Sequence, residues 1–276
     1  MKKYILLLLV LLFIFLVYFH SRISKDMNEK LMSMVDNETL SNLTIKIVYD
    51  NYEFDERLKT GFGFSSLVNI KDKKILFDTG GDSPTLLSNL EKLGIGPKEI
   101  DIIVLSHIHG DHTGGLTGIL NANPNVTIYI PKSFPNSFRE EIKSYGASFV
   151  DVGNSIKIWD GVYSTGELGT WIKEQSLIIR TEKGLVIITG CAHPGIVNIV
   201  KKVKELTKED VYFVTGGFHL GGASDQEIRN IVESFRELEV KKTSPCHCTG
   251  DRAIRAFEKE YGSDFIKTGV GKIIKV

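Results

Sequence analysis

The sequence predicts an α/β fold in four layers, an αββα sandwich in which two β-sheets pack together and helices cover both outer faces. Short runs rich in β-branched residues alternate with segments of helical periodicity beyond residue 43. No internal repeat interrupts this alternation. The length of 276 residues fits one large α/β unit with an N-terminal appendage, and a hydrophobic fraction of 42% is that of an ordinary globular core.

The strands are predicted from apolar runs that end in turn residues, and the helices from apolar positions spaced by three and four. Ser224 and Glu227 form a capping-box pattern before one of these helices. The predicted strands are 44–49, 65–70, 74–78, 101–106, 126–130, 155–158, 161–164, 176–180, 185–189, 211–214, 241–244 and 272–275. The predicted helices are 84–93, 135–145, 195–206, 225–238 and 251–261.

The N-terminus predicts a hydrophobic anchor helix. Residues 4–19 carry no charge, and no small-residue cleavage pattern follows them, so an uncleaved anchor is favoured over a removed signal peptide. Three segments result: a transmembrane or signal-anchor segment at 1–20, a polar tether at 21–43 and a catalytic domain at 44–276. This organisation predicts a membrane-anchored protein. It leaves open on which side of the membrane the catalytic domain lies.

The charge balance argues against nucleic acid as a partner, and the cysteines argue against a disulfide-bonded fold. Lys+Arg and Asp+Glu number 34 each, so no net field favours nucleic acid. The three cysteines are Cys191, Cys246 and Cys248, and they do not predict a disulfide scaffold. The remaining partner class is a small-molecule substrate.

A cluster of metal-ligand residue types follows the predicted strand at 101–106. His107 and His109 are two residues apart and can face one metal ion, while Asp111 and His112 can reach a second ion beside it. Three of the 7 histidines therefore fall within six positions. Imidazole together with a carboxylate suits zinc, iron or manganese.

Two later segments also end apolar strands in metal-ligand types. The segment TGCAHPG places Cys191 and His193 just before a predicted helix, and His193 is interpreted as a ligand. The segment CHCTG contains His247 between Cys246 and Cys248. On an extended backbone the two cysteines would point away from His247, and both simple packing and a site-lining role stay open for them.

A fourth segment, TGGFHLGG, carries His219 on a glycine-rich loop. Three interpretations stay open for this residue: a substrate contact, a general acid or a structural loop histidine.

The strand followed by HxHxDH resembles the metallo-β-lactamase superfamily. Together, TGCAHPG, GGFHL and CHCTG resemble its branch of 7,8-dihydropterin-6-methyl-4-(β-D-ribofuranosyl)aminobenzene-5′-phosphate synthases. The resemblance spans residues from about 45 to 276. The chain departs from that branch at Gly61–Ser65, where members have Glu-His-Gly, and at Gly166–Thr170, where they have Gly-Glu-x-Pro-Arg. Loss of that arginine would remove a clamp for phosphate.

The resemblance implies the αββα fold and a centre of two divalent metal ions, zinc first, with manganese, iron or magnesium as alternatives. It assigns His107, His109 and His193 to one ion, and it assigns Asp111, His112 and His247, the last histidine ligand, to the other. It also implies that Asp78 orients the metal loop without binding metal. Cys191, Glu167 or water alone would bridge the ions.

The sequence therefore predicts a dinuclear metal-dependent hydrolase or transferase. It would use a metal-bound hydroxide on a small phosphate- or carbonyl-containing substrate, and the resemblance implies a pterin-related one. Asp111 would accept a hydrogen bond from the nucleophile, and His219 would donate to the leaving group or to a substrate oxygen. The alternative is a non-catalytic sensor or binding module that keeps its metal.

Overall fold

Residues 39–276 are described by the computed structural model, and their strands form a sheet of seven and a sheet of six. The seven-stranded sheet has the order β13-β1-β2-β3-β4-β5-β6. Its strands are β1 Thr44–Tyr49, β2 Ser65–Ile70, β3 Lys73–Phe77, β4 Ile102–Val104, β5 Thr127–Pro131, β6 Ser148–Val152 and β13 Ile273–Lys275.

The second sheet has the order β12-β11-β10-β9-β8-β7. Its strands are β7 Asn154–Trp159, β8 Val162–Gly166, β9 Leu177–Thr181, β10 Gly184–Thr189, β11 Val211–Gly217 and β12 Lys242–Cys246. The helices between the strands are α1 Ser83–Lys92, α2 Gly110–Thr113, α3 Leu116–Ala122, α4 Asn136–Ser144, α5 Ile196–Thr207, α6 Asp225–Glu237 and α7 Asp251–Tyr261.

Three buried clusters show how these elements stack. The central cluster lies between the sheets and joins Val104 of β4 to Ile188 of β10. A second cluster packs the outer face of the seven-stranded sheet against α1, α3 and α4. A third packs the outer face of the six-stranded sheet against α5, α6 and α7, where Phe257 is fully buried. The layers therefore run helix, sheet, sheet, helix, as the sequence predicts.

Parallel pairing places the candidate site residues at neighbouring strand ends. Strands β3, β4 and β5 run parallel in one sheet, and β10, β11 and β12 run parallel in the other. The ladders reach Phe77 opposite Val104 and Gly217 opposite Cys246. The loops that leave these carboxyl ends carry the histidine-rich segments, as is usual for sites in open α/β sheets.

Three elements differ from the sequence-based prediction. Helix α2 is one of them, because its four residues are too few to give a periodic signal. Strand β6 was not predicted, because in its residues, SFVDV, only Val152 is buried and the apolar signal is weak. Helix α3 was not predicted either, since it is short, follows Gly114–Gly115 and contains Gly118. Packing rather than propensity stabilises α3, because Leu116, Ile119 and Leu120 are buried.

The packed chain also begins before residue 44. The Leu40 backbone N–H donates to the Arg180 carbonyl at 3.0 Å, and both Leu40 and Leu43 are buried in the central cluster. The end of the segment predicted as a tether is thus part of the core.

The prediction of a membrane-anchored protein is wrong for the part of the chain that the structure describes. No helix in residues 39–276 is long and apolar enough to cross a bilayer. The longest of them, α6, has 13 residues and so spans about 20 Å, short of the roughly 30 Å hydrocarbon core. Residues 1–20, on which the predicted anchor helix falls, lie outside the described residues.

Candidate metal centre

A first donor group consists of His107, His109 and His193. One ring nitrogen from each lies within 4.8 Å of the others. The His107 ring centroid is 4.7 Å from that of His109 and 4.6 Å from that of His193. This group is the set of three histidines that the sequence analysis assigned to one ion.

A second donor group consists of Asp111, His112, Cys191 and His247, again with ligand atoms within 4.8 Å. His112 Nε2 lies 3.2 Å from both Cys191 Sγ and His247 Nε2. Asp111 Oδ2 lies 3.3 Å from His247 Nε2 and 3.5 Å from His112 Nε2. The two groups are adjacent, since the ring centroids of His107 and His112 are 4.2 Å apart.

Asp78 orients the loop that carries both groups. The Ser106 backbone N–H and hydroxyl donate to its two carboxylate oxygens at 2.6 and 2.7 Å, and His112 Nδ1 lies 2.7 Å from Oδ2. Asp78 is fully buried, and burial raises the pKa of its carboxyl against the opposing charge of His112. A Cβ at Gly190 would lie 2.1 Å from Ser106 Oγ, so only glycine fits beside this network.

Glu174 has the same function for the TGCAHPG loop, and the sequence analysis did not identify it. Its carboxylate accepts the backbone N–H groups of Cys191, Ala192 and His193 at 2.8–3.0 Å and lies 2.9 Å from His193 Nδ1. Burial raises the pKa of Glu174, but these hydrogen bonds outweigh it and lower the pKa to about 2. Glu167, the acid considered as a bridge, instead accepts an exposed hydrogen bond from the Ser133 backbone.

Two more histidines of the centre, His107 and His247, are also held by their outer nitrogens. His247 Nδ1 lies 2.9 Å from Asn51 Oδ1, and His107 Nδ1 lies 2.9 Å from Ser106 Oγ. Together with the contacts of His112 and His193 described above, four imidazoles have an oxygen partner at Nδ1, which leaves Nε2 facing inward. This arrangement fits metal ligation, because a ligating histidine normally donates its other N–H to an oxygen.

The electrostatics of the two groups also suit cations. Burial lowers the pKa of His107 to about 2, so its imidazole is neutral and has a free lone pair. Burial raises the pKa of Asp111, but hydrogen bonds with His112 and His247 outweigh it and hold this carboxyl ionised. Burial lowers the pKa of His112, yet the charges of Asp78 and Asp111 raise it to about 10. The carboxylates of Asp78 and Asp111 therefore favour a positive charge at the second donor group.

The cysteines on either side of His247 do not both point away from the centre. Cys246 lies in the central cluster between the sheets. Cys248 lines the centre, with its Sγ 3.7 Å from the Cys191 carbonyl oxygen. The expectation for Cys248 was wrong because residues His247–Thr249 form a 3₁₀ turn with His247 at φ 50°, so the alternation of an extended strand does not apply.

His219 lies at the open edge of the centre. It is exposed, has φ 55°, and its ring centroid is 4.5 Å from that of His193. A hydrogen bond with Cys248 raises the pKa of His219. A cavity of about 620 Å³ lies beside it, lined in part by Leu220, Ile231 and Cys248.

Exposed apolar side chains lie next to two candidate ligands and on a neighbouring loop. Ile108 lies between two of the candidate ligands and is 36% exposed, and Phe62 is 68% exposed with its ring centroid 5.3 Å from that of His247. Trp171 is 96% exposed, on a loop that packs against Pro194 through Gly169. The sequence analysis did not identify these side chains, because exposure of single aromatics leaves no periodic signal.

A family model described as the metallo-beta-lactamase superfamily matches residues 58–203. The chain is 34% identical to a 7,8-dihydropterin-6-methyl-4-(beta-D-ribofuranosyl)-aminobenzene-5′-phosphate synthase of Methanocaldococcus jannaschii, over 86% of this chain and 97% of that protein. Among solved structures, Tm1679, titled a metal-dependent hydrolase of the beta-lactamase superfamily, aligns with a TM-score of 0.72 and 30% identity, over 85% of this chain and 99% of that one. A diphosphatase of the PhnP family aligns with a TM-score of 0.61 and 16% identity, over 86% and 98% of the chains, which supports the fold alone.

These relatives correct one prediction of reaction class. The sequence analysis predicted a hydrolase or a transferase, and the hydrolase is the one that the M. jannaschii relative contradicts, since that protein is named as a synthase. A hydrolase and a synthase are both enzymes, so the broader class is unchanged. The resemblance of this chain to the synthase branch is confirmed by the sequence identity.

Proposed function

Because the chain belongs to the metallo-β-lactamase superfamily, we propose that it is a metal-dependent enzyme that holds two divalent cations in the two donor groups. The observation that carries this proposal is the pair of adjacent donor groups in which four of the five imidazoles turn Nε2 inward and have an oxygen partner at Nδ1. Zinc suits this mixture of imidazole, carboxylate and thiol best, with manganese, iron or magnesium as alternatives.

Cations bound in these groups would polarise a phosphoryl or carbonyl oxygen of the substrate and provide charge for its transition state. Asp111 would bind in the second group and accept a hydrogen bond from the attacking group, since its carboxyl is held ionised. His219 would donate an N–H to the leaving group or to a substrate oxygen from the open edge, beside His193. Asp78 and Glu174 would hold the loops in register without touching the substrate.

The proposed substrate is a small phosphate- or carbonyl-containing molecule with a flat ring, in the class of pterins. The name of the M. jannaschii relative supports this class, because it describes a synthase of a dihydropterin compound. Exposed Phe62 and Trp171 provide faces for stacking near the centre, and aromatic stacking is worth about 0.5–1.5 kcal/mol per pair. The cavity beside His219, of about 620 Å³, lies within the range of small-molecule sites. We therefore favour group transfer to or from such a ring.

The test uses purified chain on a panel of phosphorylated pterins, phosphoesters, lactones and thioesters. Turnover should depend on added zinc or manganese and should be lost with bound metal in His109→Ala. Glu140→Ala, an exposed change on α4 outside both donor groups and outside the cavity beside His219, provides the matched control. Turnover by metal-free protein would contradict the metal-dependent reaction. Bound metal with no turnover across the panel would support the alternative of a binding module.

A further inference from the structure

We propose that Cys191, Cys248 and His219 form a third cation site, a Cys2His set for zinc at the open edge of the metal centre. This inference goes beyond the proposed function, which uses two donor groups and assigns no role to Cys248. The ligand atoms of the three residues lie within 4.8 Å of one another. They come from three different connections, after β10, β11 and β12, so the closeness is a product of the tertiary fold.

The two sulfur atoms are directed toward each other and toward the imidazole. Cys191 is 3% exposed, and Cys248 is partly buried against the Cys191 backbone. A Cβ at Gly217 would lie 2.7 Å from Cys248 Sγ, so the absence of a side chain there leaves the space that the sulfur occupies.

Left-handed backbone positions aim these side chains. His219 itself has φ 55°, Ala192 follows Cys191 at φ 59°, and His247 precedes Cys248 at φ 50°. Residues other than glycine adopt this conformation rarely. In each of the three connections the chain therefore turns at or next to a residue of the proposed set.

The donor chemistry selects the ion. Two thiolates and one imidazole are soft to borderline ligands, which favour zinc over magnesium or calcium. A Cys2His set with a fourth position open is a known arrangement of zinc in enzymes. Here the fourth position would face the cavity that His219 and Cys248 line.

The third site adjoins the second donor group through Cys191. Its Sγ lies 3.2 Å from His112 Nε2, so one thiolate serves both groups. His219 keeps the function proposed above, because an imidazole that binds a cation through one nitrogen retains an N–H on the other. The third ion would therefore fix the ring that contacts the substrate.

Zinc content measured by elemental analysis tests the site, on full-length protein purified with a thiol reductant and equilibrated with zinc alone. We expect about three equivalents per chain in the wild type and about two in Cys248→Ser. Cys246→Ser is the matched control, because Cys246 is a buried thiol outside every donor group, and it should keep the wild-type content. Circular dichroism confirms that each variant folds.

Cobalt substitution gives a second readout that does not depend on activity. The thiolate-to-cobalt absorption should fall by roughly half in Cys248→Ser, because one of two sulfur ligands is lost. Equal zinc content in the wild type and Cys248→Ser would overturn the third site. A fall from about two equivalents to about one would also overturn it, because Cys248 would then belong to one of two sites. If His109→Ala lowers zinc content and Cys248→Ser does not, the third site fails while the proposed function stands.

Discussion

Replacing Glu174 with glutamine tests how far one buried carboxylate controls the metal centre. The Glu174 oxygens accept four N–H groups in two pairs, Cys191 with Ala192 on Oε1 and the two nitrogens of His193 on Oε2. In either orientation of the carboxamide, its NH2 group replaces an oxygen that accepts two of these donors. Two buried hydrogen bonds to a charged acceptor are then lost, at about 1.5–3 kcal/mol each.

We therefore expect Glu174→Gln to lower the free energy of unfolding by about 3–6 kcal/mol, at the upper end for single substitutions. Zinc affinity should fall by roughly 10- to 100-fold, because in either orientation the loop that carries Cys191 and His193 loses two of the hydrogen bonds that position these ligands. The free energy is measured by urea denaturation of metal-free protein, and the affinity by competition with a chromogenic chelator. Glu167→Gln is the control, because its one exposed hydrogen bond to Ser133 should be worth less than about 1 kcal/mol.

Two measurements, the free energy of unfolding and the affinity for zinc, must both change in Glu174→Gln. If Glu174→Gln unfolds at the wild-type urea concentration, the carboxylate does not hold the loop. If it is destabilised but binds zinc as tightly as the wild type, the geometry of His193 does not depend on Glu174. Either result would refute the reasoning.

Three further predictions concern the proposed chemistry and one helix end. Asp111→Asn should remove most bound metal together with turnover, measured by elemental analysis and by assay on the substrate panel; full activity without metal would contradict the assignment. His219→Ala should lower turnover by about 10²–10⁴-fold, the usual range for an acid–base group, measured as kcat at saturating substrate; unchanged kcat would leave this loop with a structural role only. Asp82→Ala should destabilise the protein by about 1 kcal/mol, because Asp82 Oδ1 caps α1 by accepting the Thr85 backbone N–H at 2.7 Å. Burial raises the pKa of Asp82, but the hydrogen bonds from Thr85 and Tyr49 lower it overall. The stability that Asp82 contributes is therefore present above the ordinary carboxyl pKa and lost as the pH falls below it. The destabilisation measured for Asp82→Ala should thus shrink in acid. A destabilisation independent of pH would contradict this.

Much of the fold was predictable because its signals are local. Strands β1 and β2 have the predicted bounds, since each is an apolar run that ends in turn residues. The capping box at Ser224 marks the start of α6 in the sequence and in the structure. Strand β6 and helix α3 escaped prediction because their stability comes from neighbours, and exposure or glycine weakens their own patterns.

The candidate ligands were predictable for a similar reason. His107, His109, Asp111 and His112 are close in sequence, so their spacing alone indicates a shared site. The structure brings His193 and His247 to the same place, in the groups that the sequence analysis assigned. Metal binding by these groups stays a prediction that elemental analysis tests.

The sequence by itself determined the alternation of strands and helices, the family resemblance and the residue types that could bind metal. Only the tertiary structure decided which oxygen holds which imidazole: Asn51 reaches His247 across 196 residues, and Glu174 reaches His193 from another loop. It also decided that Cys248 faces the centre, through a turn at His247 that the periodicity of the sequence does not predict. The physical reason is range. Periodicity and turn propensity act over a few residues, whereas the partners of a buried polar atom depend on strand order and on loops that meet only after the sheets have formed.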